Sequence, residues 1–231
     1  MYDILLFDLD GTLTDPKEGI TKSFQYALRC CGIEEELDNL NRVVGPPLID
    51  SFQEFYGFDR ERGLFAVEKY RERFASVGIH ENALYPGTAE MLRALKAAGR
   101  TVALATSKPI VFASQILDEF GIAEYFDVAV GSELDGTRNY KIEVIREVFR
   151  LLHFPDKARC LMIGDRKQDI LGAKEFGIAP VWLCRTWGTG GGRRWLSGGF
   201  HGGTAGIPAD PLSFAQRGLT GPLFCCQIQF T

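Results

Sequence analysis

The feature that most constrains the fold is a series of short, continuous apolar runs. They occupy residues 4–7, 101–105, 128–130, 160–163 and 179–183. Each run has the length of a strand and none alternates apolar with polar residues, which is typical of strands buried on both faces. Amphipathic helical spacing follows the later runs, and runs that alternate with such helices favour a parallel sheet. The sequence therefore predicts an α/β fold, a Rossmann-like three-layer α/β/α core.

Residues 15–83 break this alternation, because they contain only helical patterns. Two apolar stripes follow helical spacing, and stripes of this kind normally form the core of a small bundle. Their members are Ile20, Phe24, Ala27, Leu28 and Cys31 in the first stripe and Val67, Tyr70, Phe74 and Val77 in the second. We expect residues 15–83 to be a helical-bundle cap inserted after the first strand. Residues 1–14 and 84–186 then form a discontinuous core.

Residues 187–231 have a different composition from the rest of the chain. They contain 11 of the 26 glycines but only one of the 30 acidic residues, Asp210. We expect an atypical Gly-rich tail with irregular structure. Because acidic residues and periodicity are lost together, we hypothesise that the chain from Arg185 onward is translated out of frame or comes from an altered gene end. The coding DNA tests this hypothesis.

Net charge restricts the partners that the chain can bind. A formal charge of -4 and a pI near 5.5 offer no bulk attraction to nucleic-acid polymers or anionic lipid. No secretory leader pattern is visible at the amino terminus, and no apolar run approaches the ~18 residues that a membrane span requires. We expect a cytoplasmic protein, a monomer or homodimer, that binds small ligands through a local site.

The string Asp8-Leu9-Asp10-Gly11-Thr12 directly follows the first apolar run. Ligands bind at the carboxyl ends of strands in parallel α/β sheets, so both carboxylates are expected at the binding edge. Gly11 allows a sharp turn that brings the backbone close to an anion. Asp8 and Asp10 are therefore candidates for nucleophile and general acid/base, although an aspartate after a strand can also simply cap a turn.

Other polar residues follow later apolar runs. Thr106 and Ser107 offer hydroxyl and N–H groups for a phosphate oxygen. Lys141 offers a cation, although a lone lysine is more often a solvated surface residue. Asp165 and Asp169 offer hard oxygen ligands of the kind that suit Mg²⁺, and Asp169 also suits a helix cap.

These four segments, in this order, resemble the four motifs of the haloacid dehalogenase-like hydrolase superfamily over residues 1 to about 184. The resemblance implies that Asp8 is the nucleophile and Asp10 the acid/base. It implies phosphate binding by Gly11, Thr106, Ser107 and Lys141. It also implies that Asp8, Asp10 through its carbonyl, Asp165 and Asp169 hold the cofactor Mg²⁺.

Within that superfamily, Asp10 favours phosphate-ester chemistry over carbon–halogen or phosphonate cleavage. The string from Gly131 to Arg138 most resembles the phosphoglycolate phosphatase and 5′-nucleotidase-like branch. The resemblance implies a small phosphorylated metabolite as substrate, first 2-phosphoglycolate and then a nucleoside monophosphate. A β-phosphoglucomutase-like mutase and a catalytically silent binding module remain as alternatives. Lys17 and Arg42 are candidates for substrate contacts from the cap, where such families determine specificity.

Overall fold

The computed structural model of the 231-residue chain describes residues 2–187 and 193–196. Its strands are β1 (Ile4–Phe7), β2 (Thr14–Asp15), β3 (Ala83–Leu84), β4 (Thr101–Pro109), β5 (Val128–Ser132), β6 (Cys160–Gly164), β7 (Ala179–Trp182), β8 (Cys184–Trp187) and β9 (Arg193–Leu196). Its α-helices are α1 (Lys17–Cys30), α2 (Leu48–Tyr56), α3 (Arg60–Arg73), α4 (Thr88–Ala97), α5 (Ile110–Glu119), α6 (Lys141–Leu151) and α7 (Lys167–Phe176). Short 3₁₀ turns occupy Leu37–Val43, Ala123–Tyr125 and Lys157–Arg159, and a π turn occupies Phe74–Gly78.

A five-stranded sheet forms the centre of the fold, in the order β5-β4-β1-β6-β7. All its neighbouring strands are parallel, and Ile4 of β1 is in register with Thr101 of β4 and Cys160 of β6. Strand β1 lies in the middle because its four residues are all buried and apolar. The parallel sheet confirms the predicted α/β class.

Helices cover both faces of the sheet. On one face, Leu6, Ala103 and Met162 pack in a core cluster with Val144 and Val148 of α6. The alternate residues of β1 and β4 are also buried and point to the opposite face, because side chains alternate along a strand. Helices α4 and α5 contact β4 outside that cluster. Strands β1 and β4 are therefore buried on both sides, which explains their continuous apolar sequences.

The chain divides into two compact units. One comprises Met1–Leu13 and the chain from Leu84 onward, and the other comprises Thr14–Ala83. The second unit contains α1, α2 and α3 around an aromatic core, in which Phe24 stacks on Phe52 with ring centroids 4.0 Å apart. That this unit acts as a cap stays a prediction.

The prediction of the second apolar stripe is wrong for its last residue, Val77. Val67, Tyr70 and Phe74 are buried, but Val77 is 47% exposed. Helix α3 ends at Arg73 and a π turn follows over Phe74–Gly78. A π turn advances more residues per turn than an α-helix, so Val77 rotates away from the stripe.

Strands β8 and β9 pair in antiparallel fashion, with Cys184 opposite Leu196. Regular structure at Arg193–Leu196 differs from the irregular structure expected there. Residues 188–192 and 197–231 of the predicted tail lie outside the described residues. Among the described residues, no helix is long and apolar enough to span a membrane.

Candidate active site

The carboxyl ends of β1, β4 and β6 bring the predicted site residues to one edge of the sheet. Asp8 directly follows β1, Thr106 lies near the end of β4, and Asp165 directly follows β6. Strand β1 is hydrogen-bonded to both other strands in parallel register, so their carboxyl ends meet. Asp8 and Thr106 are buried, with 5% and 1% of their surface exposed. Burial makes the simple turn-capping interpretation of Asp8 insufficient.

Lys141 is the centre of a buried ionic cluster. Its ammonium donates hydrogen bonds to Asp8 Oδ1 at 2.9 Å and to the Ala105 carbonyl at 2.8 Å. It also forms an ion pair with Asp169 Oδ1 at 2.8 Å. An ammonium has three donors, and these contacts use all of them. The solvated-surface alternative for Lys141 is therefore wrong, since only 5% of this residue is exposed.

The cluster keeps Asp8 and Lys141 charged. Burial favours the neutral carboxyl, but the charges of Lys141 and Arg166 and hydrogen bonds from Lys141 and Thr106 hold the pKa of Asp8 below its usual value. Burial opposes the charge of Lys141 as well, yet Asp169 and Asp8 raise its pKa above the usual value. A buried carboxylate that stays ionised is available to react as a nucleophile.

Asp169 has two roles in the structure. Besides its ion pair with Lys141, its Oδ2 accepts a hydrogen bond from the Arg166 N–H at 3.1 Å in the first turn of α7. Asp169 therefore caps the start of α7 from its third position and not as the N-cap residue, which is Arg166, and the metal contact predicted for it stays a prediction. Gly164 permits this approach, because a Cβ there would lie 2.2 Å from Asp169 Oδ2.

Asp8, Asp165 and Asp169 form an acidic triad. Each offers a carboxylate oxygen, and the three oxygens lie within 4.8 Å of one another. Thr12 Oγ1 donates to Asp165 Oδ1 at 3.1 Å, and the Trp182 indole donates to the Asp165 carbonyl at 3.1 Å. Burial above all raises the pKa of Asp165 to about 7. The charges of Asp8 and Asp169 add to this effect of burial.

The position of Gly11, next to this triad, requires a glycine. Its φ of +87° lies in the left-handed region that favours glycine, and a Cβ there would lie 2.1 Å from Asp165 Oδ2. The glycine of the first motif thus leaves the space that the Asp165 carboxylate occupies. Its predicted contact with phosphate stays a prediction.

We predict that the stability of the metal-free protein falls as pH rises from about 5 to 8. Asp165 has an ordinary pKa of 3.8 and a folded pKa of about 7, so the folded state binds more protons between these values. Stability must then decrease as pH rises through that window. Melting temperatures measured in EDTA from pH 5 to pH 8 test this expectation.

The Asp165→Asn variant is the matched control for the pH series. It removes the titrating carboxyl, so its melting temperature should depend less on pH than that of the wild type. Identical slopes for the two proteins would contradict the assignment of this dependence to Asp165.

The partner of Asp10 is a residue that the sequence analysis missed. The Lys108 ammonium donates to Asp10 Oδ1 at 3.0 Å and to Oδ2 at 2.8 Å, and its residue is 9% exposed. Thr106 and Lys108 are buried and Ser107 between them is exposed, as alternation along a strand requires. The signal available in the sequence was a lysine two residues after Thr106, a spacing that places both side chains on the same face of a strand.

The remaining predicted contacts have different surroundings. Ser107 is exposed, and its carbonyl accepts a hydrogen bond from the Ser132 hydroxyl at 2.8 Å. Lys17 begins α1 in the second unit and is half-buried. Arg42 is exposed in the same unit and its guanidinium lies 4.7 Å from the centroid of the Phe55 ring. The substrate contacts predicted for Ser107, Lys17 and Arg42 stay predictions.

Comparison with known proteins identifies the class to which this fold and site belong. The profile of the haloacid dehalogenase-like hydrolases matches residues 5–183. The chain therefore belongs to the haloacid dehalogenase-like hydrolase family, and the predicted resemblance is confirmed. It is a hydrolase whose relatives include proteins named as phosphatases.

Three curated relatives differ in their names. A 5′-nucleotidase from Pseudomonas aeruginosa is 49% identical over 78% of this chain and 81% of its own length. The tyrosine-protein kinase PtkA of Mycobacterium tuberculosis is 37% identical over 81% of this chain, which spans only 63% of that protein. A phosphoglycolate phosphatase from Rhodobacter capsulatus is 31% identical over 78% of this chain and 84% of its own length.

Solved structures agree with the family. A Clostridium difficile protein described as a candidate phosphatase is 54% identical, with a TM-score of 0.72 over 78% of this chain and 84% of that chain. A haloacid dehalogenase-like hydrolase from Streptococcus pneumoniae is 29% identical, with the same TM-score of 0.72 over 79% of this chain and 85% of that chain.

Proposed function

We propose that the chain is a Mg²⁺-dependent phosphomonoesterase that reacts through an aspartyl-phosphate on Asp8. The observation that carries this proposal is the buried Asp8 carboxylate, held ionised by Lys141 within an acidic triad. A carboxylate of this kind can attack phosphorus, and the lysine can neutralise charge on the phosphoryl oxygens.

The residues of the triad fit a magnesium ion. Mg²⁺ prefers oxygen ligands and is commonly bound by one or two carboxylates together with water and substrate phosphate. Asp8, Asp165 and Asp169 offer such oxygens, which lie within 4.8 Å of one another. Asp8 and Asp165 would hold the ion directly, with Asp169 supporting it and the Asp10 carbonyl as a further ligand. The bound ion would supply positive charge that stabilises the phosphoryl group during transfer.

Hydrolysis takes two steps in this proposal. Asp8 attacks phosphorus while the ester P–O bond breaks, and Asp10 gives a proton to the departing alcohol oxygen. Water then attacks phosphorus of the aspartyl-phosphate and gives a proton to Asp10, while the bond to Asp8 breaks. Phosphate leaves and both carboxyl groups regain their starting states. Throughout, Lys141 and Thr106 bind the phosphoryl oxygens.

Sequence identity to the curated relatives ranks the candidate substrates. The relative named 5′-nucleotidase is 49% identical, against 31% for the relative named phosphoglycolate phosphatase. We therefore put nucleoside monophosphates first and 2-phosphoglycolate second, which reverses the order that the sequence motifs favoured. A mutase would instead need a bisphosphate activator. We keep the cytoplasmic localisation as part of the proposal.

Phosphate release from a substrate panel tests the proposal. The panel contains nucleoside monophosphates, 2-phosphoglycolate, sugar phosphates and p-nitrophenyl phosphate, each with Mg²⁺ or with EDTA. We expect release that requires Mg²⁺ and is fastest for a nucleoside monophosphate. Release that is unchanged in EDTA would contradict the metal requirement, and faster turnover of 2-phosphoglycolate would reverse the substrate order.

A further inference from the structure

Strand β4 carries an irregularity at the point where it supplies site residues. Ala105 pairs with Val130 and the next pair is Pro109 with Ser132, so β4 advances four residues while β5 advances two. Extra residues of this kind bend a strand locally and redirect its side chains. The segment that gains them contains Thr106, Ser107 and Lys108.

The backbone of this bulged segment is fixed from the β5 side. The Ser132 hydroxyl donates to the Ser107 carbonyl at 2.8 Å. Gly131 packs so closely that a Cβ there would lie 2.5 Å from the Lys108 carbonyl oxygen. The Lys108 N–H donates to Thr106 Oγ1 at 3.2 Å. These contacts fix the backbone position of Lys108.

The Lys108 ammonium donates hydrogen bonds to both carboxylate oxygens of Asp10, at 3.0 and 2.8 Å. Only 6% of the lysine side chain and 14% of the aspartate side chain are exposed. Lys141 pairs with Asp8 and Asp169 instead, so the two carboxylates of the first motif have separate lysine partners. A buried ion pair with two hydrogen bonds restricts the carboxylate to one orientation.

We infer that Lys108 is a positioning residue that orients the Asp10 carboxylate toward the reacting phosphoryl group. This inference rests on the proposed function, in which Asp10 moves protons. Lys108 acts through Asp10 and does not itself bind the phosphoryl group. A misplaced proton-transfer group lowers the rate of the chemical steps more than it weakens binding. Lys108 should therefore affect kcat and leave KM nearly unchanged.

A double-mutant cycle tests the inference with a nucleoside monophosphate as the substrate, because its alkoxide leaving group needs the proton that Asp10 supplies. We expect Lys108→Met to lower kcat about 10- to 100-fold, part of the roughly 10²- to 10⁴-fold that a general acid–base group contributes, with KM changed by less than about threefold. Lys108→Arg, which keeps the charge and donors, should recover part of the loss. In an Asp10→Asn background, Lys108→Met should cause no further loss, because its target is already removed.

Controls separate the possible failures. Lys96→Met removes a half-exposed lysine that pairs with Asp127 at 2.6 Å, and it should leave kcat unchanged. Melting temperatures of all variants check that they are folded. If the wild type releases no phosphate, or Asp8→Asn releases it normally, the proposed function fails. If those two behave as proposed but Lys108→Met keeps full kcat, or lowers kcat equally in the Asp10→Asn background, the positioning role alone is overturned.

Discussion

Replacing Asp8 with asparagine is expected to abolish phosphate release while leaving the protein folded. Asparagine has nearly the same shape but cannot attack phosphorus, and loss of a nucleophile lowers kcat by roughly a thousandfold or more. The charge of Asp8 raises the pKa of both Asp165 and Asp169, so its removal relieves repulsion inside the triad. Lys141 keeps its 2.8 Å ion pair with Asp169 in the variant. Steady-state release of phosphate and thermal unfolding in EDTA measure the two quantities.

Two controls make this result interpretable. Asp127→Asn removes a carboxylate that pairs with Lys96 and is not among the site residues, and it should keep the wild-type rate. The same purification applied to all three proteins reveals any contaminating phosphatase. An Asp8→Asn protein with more than about a tenth of the wild-type rate would rule out Asp8 as the nucleophile.

Replacing Lys141 with methionine is expected to impair both activity and folding. The change leaves Asp8 and Asp169 buried without their shared cation, and removal of one partner from a buried ion pair typically costs about 3–5 kcal/mol. The melting temperature should fall by roughly 10 °C for a chain of this size. Loss of a donor to the phosphoryl group should lower kcat about 10²- to 10³-fold. Chemical unfolding and phosphate release measure these effects.

The pH dependence of this variant provides a second readout. Without Lys141, the crowded carboxyl groups should take up protons more readily, so the deficit in stability should be smaller at pH 5 than at pH 8. Lys96→Met is the matched control, because an exposed pair contributes no more than about 1 kcal/mol. A Lys141→Met protein as stable as this control would contradict the buried cluster.

The sheet could be predicted from the sequence because its strands β1 and β4 are buried on both faces. Continuous apolar runs such as Ile4–Phe7 leave few alternatives to a parallel α/β sheet. The helical stripe ending in Val77 could be predicted only in part, since the π turn at Phe74–Gly78 changes the residue spacing. No local propensity marks that turn, and the buried Phe74 and Gly78 that anchor it are defined by tertiary packing.

The candidate site was predictable where it follows strand ends and less so elsewhere. Asp8, Asp165 and Asp169 come together because parallel strands end at one edge. The partnership of Lys108 with Asp10 joins residues 98 positions apart, and Lys108 lies in the irregular part of β4. Spacing along β4 places Lys108 on the same face as Thr106, but it does not identify Asp10 as the partner, because contacts between strands depend on how the strands pair.

The order of strands in the sheet has a consequence for synthesis of the protein. The central strand β1 leaves the ribosome first, but its neighbours β4 and β6 begin only at Thr101 and Cys160. The unit Thr14–Ala83 is continuous in sequence and can fold while both neighbours are still untranslated. Until β4 and β6 have been synthesised, the apolar strand Ile4–Phe7 lacks its partners in the sheet and is prone to aggregation. Slow elongation between residues 84 and 160 should therefore increase the nascent chain's need for chaperones.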